Sequence, residues 1–332
     1  MSGRRGLALL TAAVCTAAAA LAVGSGPASS RPAALTPAAI FYYPWYSTPA
    51  RDGHWAHWYV VHDGVPVLSV PQYPSRGLYS SSNRKVVAAH MREIASTGIS
   101  TVVVSWWGAG SPEDARLPLV AEAARRYGLA VAIHLEPYPG RTPASAAADI
   151  ARLHEAGVDD FYVYDADRDP PSAWADALAG LEGVRVFGHT TLVGRAKAAG
   201  FDGLYTYDVG TWTGSTFRRL CTQAHANGLL CAPSVGPGYD ARLATRDELV
   251  RPRQRGATYD RMWRAALRAG ADLVTVTSYN EWQEGTQIEP ARPQVGRPGY
   301  DGAWGTRGLA AQNAYLAATA RWVGVLRAQV RQ

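Results

Sequence analysis

Short apolar runs alternate with longer amphipathic stretches along most of the chain. IFYYPWY (40–46) precedes helical spacing over 84–97, TVVVSWW (101–107) precedes 113–127, and LAVAIHLEPY (129–138) precedes 142–156. FYVYD (161–165), VRVFGHT (184–190) and GLYTYD (203–208) are followed by helical patterns over 172–180, 193–199 and 214–227. LLCAPSV (229–235) leads to 257–269, and LVTVTSYNEW (273–282) to a last helix over 308–328. Eight βα units in about 290 residues are the number and size of a single (β/α)8 TIM barrel in the α/β class. An open doubly wound sheet is the competing architecture, but no GxGxxG follows the first strand to mark a dinucleotide site.

No composition break divides this pattern, so 35–332 reads as one catalytic domain and 1–34 as a signal peptide with a disordered N-terminal segment. Arg4 and Arg5 precede an apolar run from Leu7 to Val23, and small residues and prolines follow. The arrangement predicts a secreted, extracellular protein exported by the general or the twin-arginine route, with no stable membrane insertion once the segment is removed. A retained anchor is the alternative, but the run is mostly alanine and barely long enough to cross a bilayer.

Composition narrows the function classes. Of 332 residues 47% are hydrophobic and 18% charged. Taking Arg4, Arg5 and Arg31 from the formal charge of +6 leaves +3, too little to favour nucleic acid or an acidic membrane as partner. A neutral ligand and a monomeric protein fit. Outside the export segment only Cys221 and Cys231 remain, with no CxxC and no Cys/His cluster, so neither a metal nor another cofactor is expected. Cys221 falls on a helix and Cys231 on the next strand; export favours a disulfide, and two buried thiols are the alternative.

In a TIM barrel the chemistry sits at the C-terminal ends of the strands. Those ends carry Tyr43, Trp45 and Tyr46; Trp106 and Trp107; His134 and Glu136; Tyr164 and Asp165; His189; Tyr205 and Tyr207; Ser234 and Tyr239; and Asn280, Glu281 and Glu284. With 11 Trp and 17 Tyr against 5 Phe, the chain favours aromatics that carry a hydrogen-bonding edge, which suit a cleft stacking on sugar faces. Core packing explains a single aromatic as well; the clustering is what points to a cleft.

Glycoside cleavage uses two carboxyl groups. SYNEWQEGTQIEP places Glu281 and Glu284 three residues apart after the eighth strand. If the segment turns helically, their Cβ atoms lie about 5–6 Å apart. That spacing suits a retaining enzyme, with carboxyls about 5–5.5 Å apart, better than an inverting one at about 6.5–9.5 Å. An isolated ExxE is more often a helix cap or an ion-pair partner.

The whole phrase TSYNEWQEGTQIEP, however, resembles glycoside hydrolase family 99, the endo-α-1,2-mannosidases and endo-α-1,2-mannanases. FYYPWYSTP (41–49), HW (57–58), YSSSN (79–83), HM (90–91), SWW (105–107), HLEPY (134–138), YVYD (162–165), AGFDGLYTY (199–207) and PSVGPGYD (233–240) follow in the family's order. The resemblance implies retaining, metal-free endo-cleavage of an α-1,2-mannosidic bond in mannan or a high-mannose glycan. It also implies an unusual division of labour: the residue matching Glu281 deprotonates the sugar 2-hydroxyl to close a 1,2-anhydro sugar, and Glu284 matches the general acid and later base. Tyr43, Tyr46, His57, Trp58, Trp106, Trp107, His134, Glu136, Tyr205, Tyr239, Asn280 and Trp282 are the expected substrate contacts.

A second glycosidase clan places Asn-Glu at the end of strand four and another Glu at the end of strand seven. Here Asn280-Glu281 ends strand eight, and PSVGPGY after strand seven has no carboxylate. The alternatives to a mannosidase are an α-glucanase-like enzyme on the same barrel and a carbohydrate-binding barrel without turnover; intact Glu281 and Glu284 weigh against the latter.

Overall fold

The computed structural model describes residues 35–330; the expected export segment at 1–34 lies outside them. Eight parallel strands surround one axis: β1 (Ala38–Tyr42), β2 (Thr101–Trp106), β3 (Ala130–Leu135), β4 (Asp160–Val163), β5 (Arg185–His189), β6 (Gly203–Tyr205), β7 (Leu230–Ala232 with Ser234–Val235) and β8 (Val274–Val276). Each strand pairs with the one before it in sequence, and β1 pairs with β8. The two halves of β7 are one run of chain divided at Pro233. The first half bonds β6 and the second bonds β8, so the sheet returns on itself. Val102, Val103 and Val104 are all fully buried, as expected of strands covered on both faces.

The helices that follow the strands are α1 (Arg84–Ser96), α2 (Pro112–Arg126), α3 (Pro143–Glu155), α4 (Pro171–Leu178), α5 (Val193–Ala198), α6 (Phe217–Ala226), α7 (Ala257–Arg268) and α8 (Ala314–Val330). Their starts follow local chemistry. Asn83 accepts from Lys85 N–H, Ser111 accepts from Asp114 N–H with Pro112 behind it, and Thr142 and Ser145 form a reciprocal capping box.

Two elements depart from the sequence expectation. The last helix was predicted as one piece over 308–328. It is split at Asn313, whose side-chain amide donates to the Leu309 carbonyl, into Gly308–Gln312 and α8. The eighth strand was predicted to run to 282 but ends at Val276, and the carboxylate-bearing segment is a folded loop instead. Side-chain bonds within that loop, such as Ser278 Oγ to Thr286 Oγ1 at 2.9 Å, replace the ladder.

The barrel interior is aromatic. Phe41 packs against His134, Tyr162 and Tyr205 at ring separations of 4.7, 5.8 and 5.7 Å, and Tyr162 stacks on Phe187. Gly203 makes room for this layer, because a β-carbon there would stand 2.6 Å from the Phe187 ring and 2.8 Å from the Leu230 carbonyl.

Cys221 of α6 and Cys231 of β7 are joined by a disulfide between two fully buried residues, ten apart in sequence. Closing so short a loop restrains the unfolded chain by about 2–3 kcal/mol. Replacing both with alanine is expected to lower Tm by roughly 5 °C. Scanning calorimetry checks this; an unchanged Tm would contradict a structural role for the bridge.

Candidate active site

The loop after β8 is fixed from several sides before it presents any charge. Asn280 Oδ1 accepts from Tyr43 N–H at 2.8 Å, and its amide donates to Tyr43 O at 2.9 Å, which clips the loop to the end of β1. Tyr46 O–H donates to Asn280 O and accepts from Trp282 N–H. Glu281 N–H donates to Ser278 Oγ at 2.8 Å. Trp282–Gly285 is a single turn, completed by Gly285 at φ 64°, a left-handed conformation that favours glycine. One turn therefore separates Glu281 from Glu284, and both line one cavity of about 220 Å³ at the barrel mouth.

Of the expected substrate contacts, Tyr43, Trp107, His134 and Glu136 line that cavity with the two glutamates. Glu136 accepts from Ser105 Oγ at 2.7 Å and lies 3.0 Å from His134 Nδ1; His134 Nε2 meets Tyr205 O–H at 2.9 Å. Tyr43 and Tyr207 share a hydroxyl–hydroxyl bond. Trp107 Nε1 is buried with no hydrogen-bond partner, a donor that a bound hydroxyl would satisfy.

Other expected contacts stand behind the wall. Tyr46, Asn280 and Trp282 are fully buried and spend their polar groups on the loop itself. Trp58 is buried against Tyr46 and donates to Tyr79 O. Tyr205 lies beneath His134. Trp106 turns outward, as alternate strand residues must, and donates to Asp114 of α2 at 2.8 Å. His57 sits behind Trp45, its ring stacked face to face at 4.1 Å, and burial pushes its imidazole down to about 4, so it is neutral. Tyr239 stands at the rim, bonded to Asp247, beside the Asp240 N–H that donates to Glu284 O.

Trp45, Tyr164, Tyr207 and Gln283 line the cavity without having been predicted as contacts. Three of them were legible as strand-end aromatics; Gln283, between the two glutamates, carried no signal of its own. Sequence reading also passed over Glu289 in the same phrase. It is fully buried and accepts from Tyr79 O–H at 2.7 Å, Trp282 Nε1 at 2.8 Å and Arg76 Nε at 2.9 Å, with His90 Nε2 at 3.1 Å. Burial opposes its charge, but His90, Arg76 and Tyr79 outweigh burial and hold its carboxyl below the usual range.

The cavity carboxylates behave oppositely. Burial, then the charges of Glu284 and Glu136, raise Glu281 well above the ordinary carboxylate range, while N–H groups of Gln283 and Glu284 oppose the rise. Removal from water, then Asp208, Glu136 and Asp247, push Glu284 up to about 8. Two such groups on one wall share a proton near neutrality. Peptide N–H groups of Gln283 and Glu284 favour the charged form of Glu281, and no such donor acts on Glu284, whose carboxyl is raised by burial and neighbouring negative charges.

Comparison with known proteins agrees with this geometry. The sequence profile of Glycosyl hydrolase family 99 matches residues 36–328. A human glycoprotein endo-alpha-1,2-mannosidase-like protein is 33% identical over 315 residues, covering 76% of this chain and 68% of that one. The glycoprotein endo-alpha-1,2-mannosidase of Xenopus laevis is 32% identical, with 77% and 70% covered. The structure of the GH99 endo-alpha-mannosidase from Bacteroides thetaiotaomicron superposes with a TM-score of 0.80 at 28% identity, over 88% of this chain and 98% of that chain. Since the match spans all eight strands and the loop that carries Glu281 and Glu284, this chain belongs to glycosyl hydrolase family 99 and is a glycoside hydrolase.

Proposed function

We propose that the protein is a secreted endo-α-mannosidase that cleaves α-1,2-mannosidic bonds with retention, through a 1,2-anhydro sugar. The observation that carries the reading is the pair Glu281 and Glu284, one turn apart on a rigidly held loop and facing one aromatic-walled cavity. Glu281, supplied with peptide N–H donors, takes the proton of the sugar 2-hydroxyl, and that oxygen closes on the anomeric carbon as the glycosidic bond breaks. Glu284, protonated near neutrality, gives its proton to the departing oxygen. It then removes a proton from water as the water opens the anhydro ring, and Glu281 returns its proton to the 2-oxygen. Glu136 and His134 are placed to hold hydroxyls of the reacting mannose, and Trp107 Nε1 offers a further donor.

Digestion of yeast α-mannan and of a glucosylated high-mannose glycan, with NMR of the first-formed anomer, tests linkage, preference and stereochemistry together. Retention at α-1,2 linkages is the expected result; an inverted first product, or cleavage confined to α-glucans, would overturn the reading.

The pH profile is a further prediction. Both carboxyls are raised, so the acid limb of kcat/KM should lie above the ordinary carboxylate range, since the base must lose its proton before it can act. The alkaline limb should fall near pH 8, where Glu284 loses the proton the leaving group needs. A profile flat from pH 5 to 10 would remove Glu284 from the role of acid.

A further inference from the structure

The turn that separates Glu281 from Glu284 is gripped residue by residue. Trp282 N–H donates to the Tyr46 hydroxyl at 3.0 Å, and Asp240 N–H donates to Glu284 O at 2.7 Å. Gly285 lies against Pro71, where a β-carbon would stand 3.0 Å from the proline ring. Gln283, between the two glutamates, is held through its side chain, whose Nε2 donates to Ser69 Oγ at 2.7 Å.

Ser69 is a rigid mount for that bond. It follows a hairpin outside the barrel, in which Tyr59–His62 pairs antiparallel with Val65–Leu68, and it is fully buried. Arg297 Nη2 and Nε donate to Leu68 O and Val70 O at 2.7 and 2.8 Å, so one guanidinium holds the carbonyls on both sides of Ser69. Ser69 N–H donates to Trp58 O at 2.9 Å, and this bond by itself closes the root of the hairpin. The Ser69 hydroxyl also donates to Trp58 O, at 3.1 Å, a carbonyl that already has a donor. The hairpin therefore does not depend on the hydroxyl, whose shorter bond is the one to Gln283.

The tether opposes a definite force. Two carboxyls one turn apart on one cavity wall repel each other when both are ionised, and unwinding the turn would let them part. A side chain rooted between them and fixed to a rigid mount keeps the turn wound. We propose that Ser69 is a positioning residue for the glycosidase reaction: acting through Gln283, it sets where Glu281 and Glu284 stand relative to each other. Ser69 is not among the residues that line the cavity, so its effect on the chemistry passes through the turn. The inference deepens the reading of Glu281 as base and Glu284 as acid, and rests on it.

The test is a double-mutant cycle in kcat on an α-mannan oligosaccharide, with affinity read by calorimetric titration. Misplacing reacting groups by roughly 1 Å costs about a hundredfold, and the other grips on the turn remain, so Ser69→Ala should lower kcat about tenfold. Its Kd should stay within about twofold of wild type, because the cavity wall is intact. Gln283→Met keeps the length of the side chain and loses the amide, and should cost about as much as Ser69→Ala. The double variant should be no slower than the slower single one, since both changes cut one bond. Losses that multiply to about a hundredfold, a Ser69→Ala kcat equal to wild type, or a loss confined to KM overturn the tether and leave the mannosidase reading intact. If Ser69→Ala does not fold, Gln283→Met decides: about a tenfold loss in kcat at unchanged Kd supports the tether, and wild-type kcat overturns it. If the wild-type enzyme cleaves no α-mannan, it is the mannosidase reading that fails. A crystal structure of Ser69→Ala then decides the tether, which a displaced turn between Glu281 and Glu284 supports and an unmoved one overturns.

Discussion

Glu284→Gln should lower kcat on an α-mannan by about 100- to 10,000-fold while leaving substrate affinity within a few-fold of wild type, because the amide keeps the shape and loses the proton. The effect should shrink on α-mannobiosyl fluoride, since fluoride departs with little help from an acid. Glu281→Gln should be as damaging on both substrates: however good the leaving group, the 2-hydroxyl must still lose its proton to close the ring. The two variants together thus separate acid from base by a pattern rather than by size alone. Steady-state kinetics on both substrates, with binding measured by calorimetry, reads the pattern. A Glu284→Gln enzyme that still cleaves mannan at more than a tenth of the wild-type rate would sink the assignment.

The second large effect concerns stability. Glu289→Gln should destabilise the fold by about 3–5 kcal/mol, because Arg76 and the fully buried His90 lose the charge they face. The cost has a pH signature. Glu289's carboxyl is held low in the folded protein, so its contribution is full above the ordinary carboxylate value and fades as pH falls through the folded one. Urea denaturation should therefore show a gap between wild type and variant that is wide at pH 7 and narrows in acid. A gap below 1 kcal/mol at pH 7 would mean that the network contributes little. Activity should fall as well, since Glu289 holds Trp282, the residue next to Glu281. The loss should appear in kcat even at temperatures where the variant is folded.

These two glutamate sets stood very differently in the sequence. Glu281 and Glu284 could be picked out because ExxE falls at a strand end and inside a phrase shared with a family. Glu289 lies in the same phrase, yet nothing local distinguishes a carboxylate that faces substrate from one that anchors a loop. Its partners Arg76, Tyr79 and His90 lie about 200 residues away in the chain and meet it only when the barrel closes. The same limit explains the aromatic contacts. Trp106 and Trp107 are adjacent letters at one strand end, and the pleat sends one to α2 and the other to the cavity. Tyr46 and Tyr43 are separated by two residues, and loop packing buries the first behind Asn280 while the second reaches the wall.

What the chain's own order determined was the barrel: eight alternations of apolar and amphipathic runs, capped by Asn83, Ser111 and Thr142, leave each strand only a parallel neighbour and a covering helix. Local period and local caps are properties of a few consecutive residues, so they can be read in one dimension. Tertiary structure alone decided which rim residues face the cavity, where the eighth strand stops and which carboxylate carries charge. Those depend on desolvation and on hydrogen bonds between residues far apart in sequence, and both arise only when the strands close into a ring.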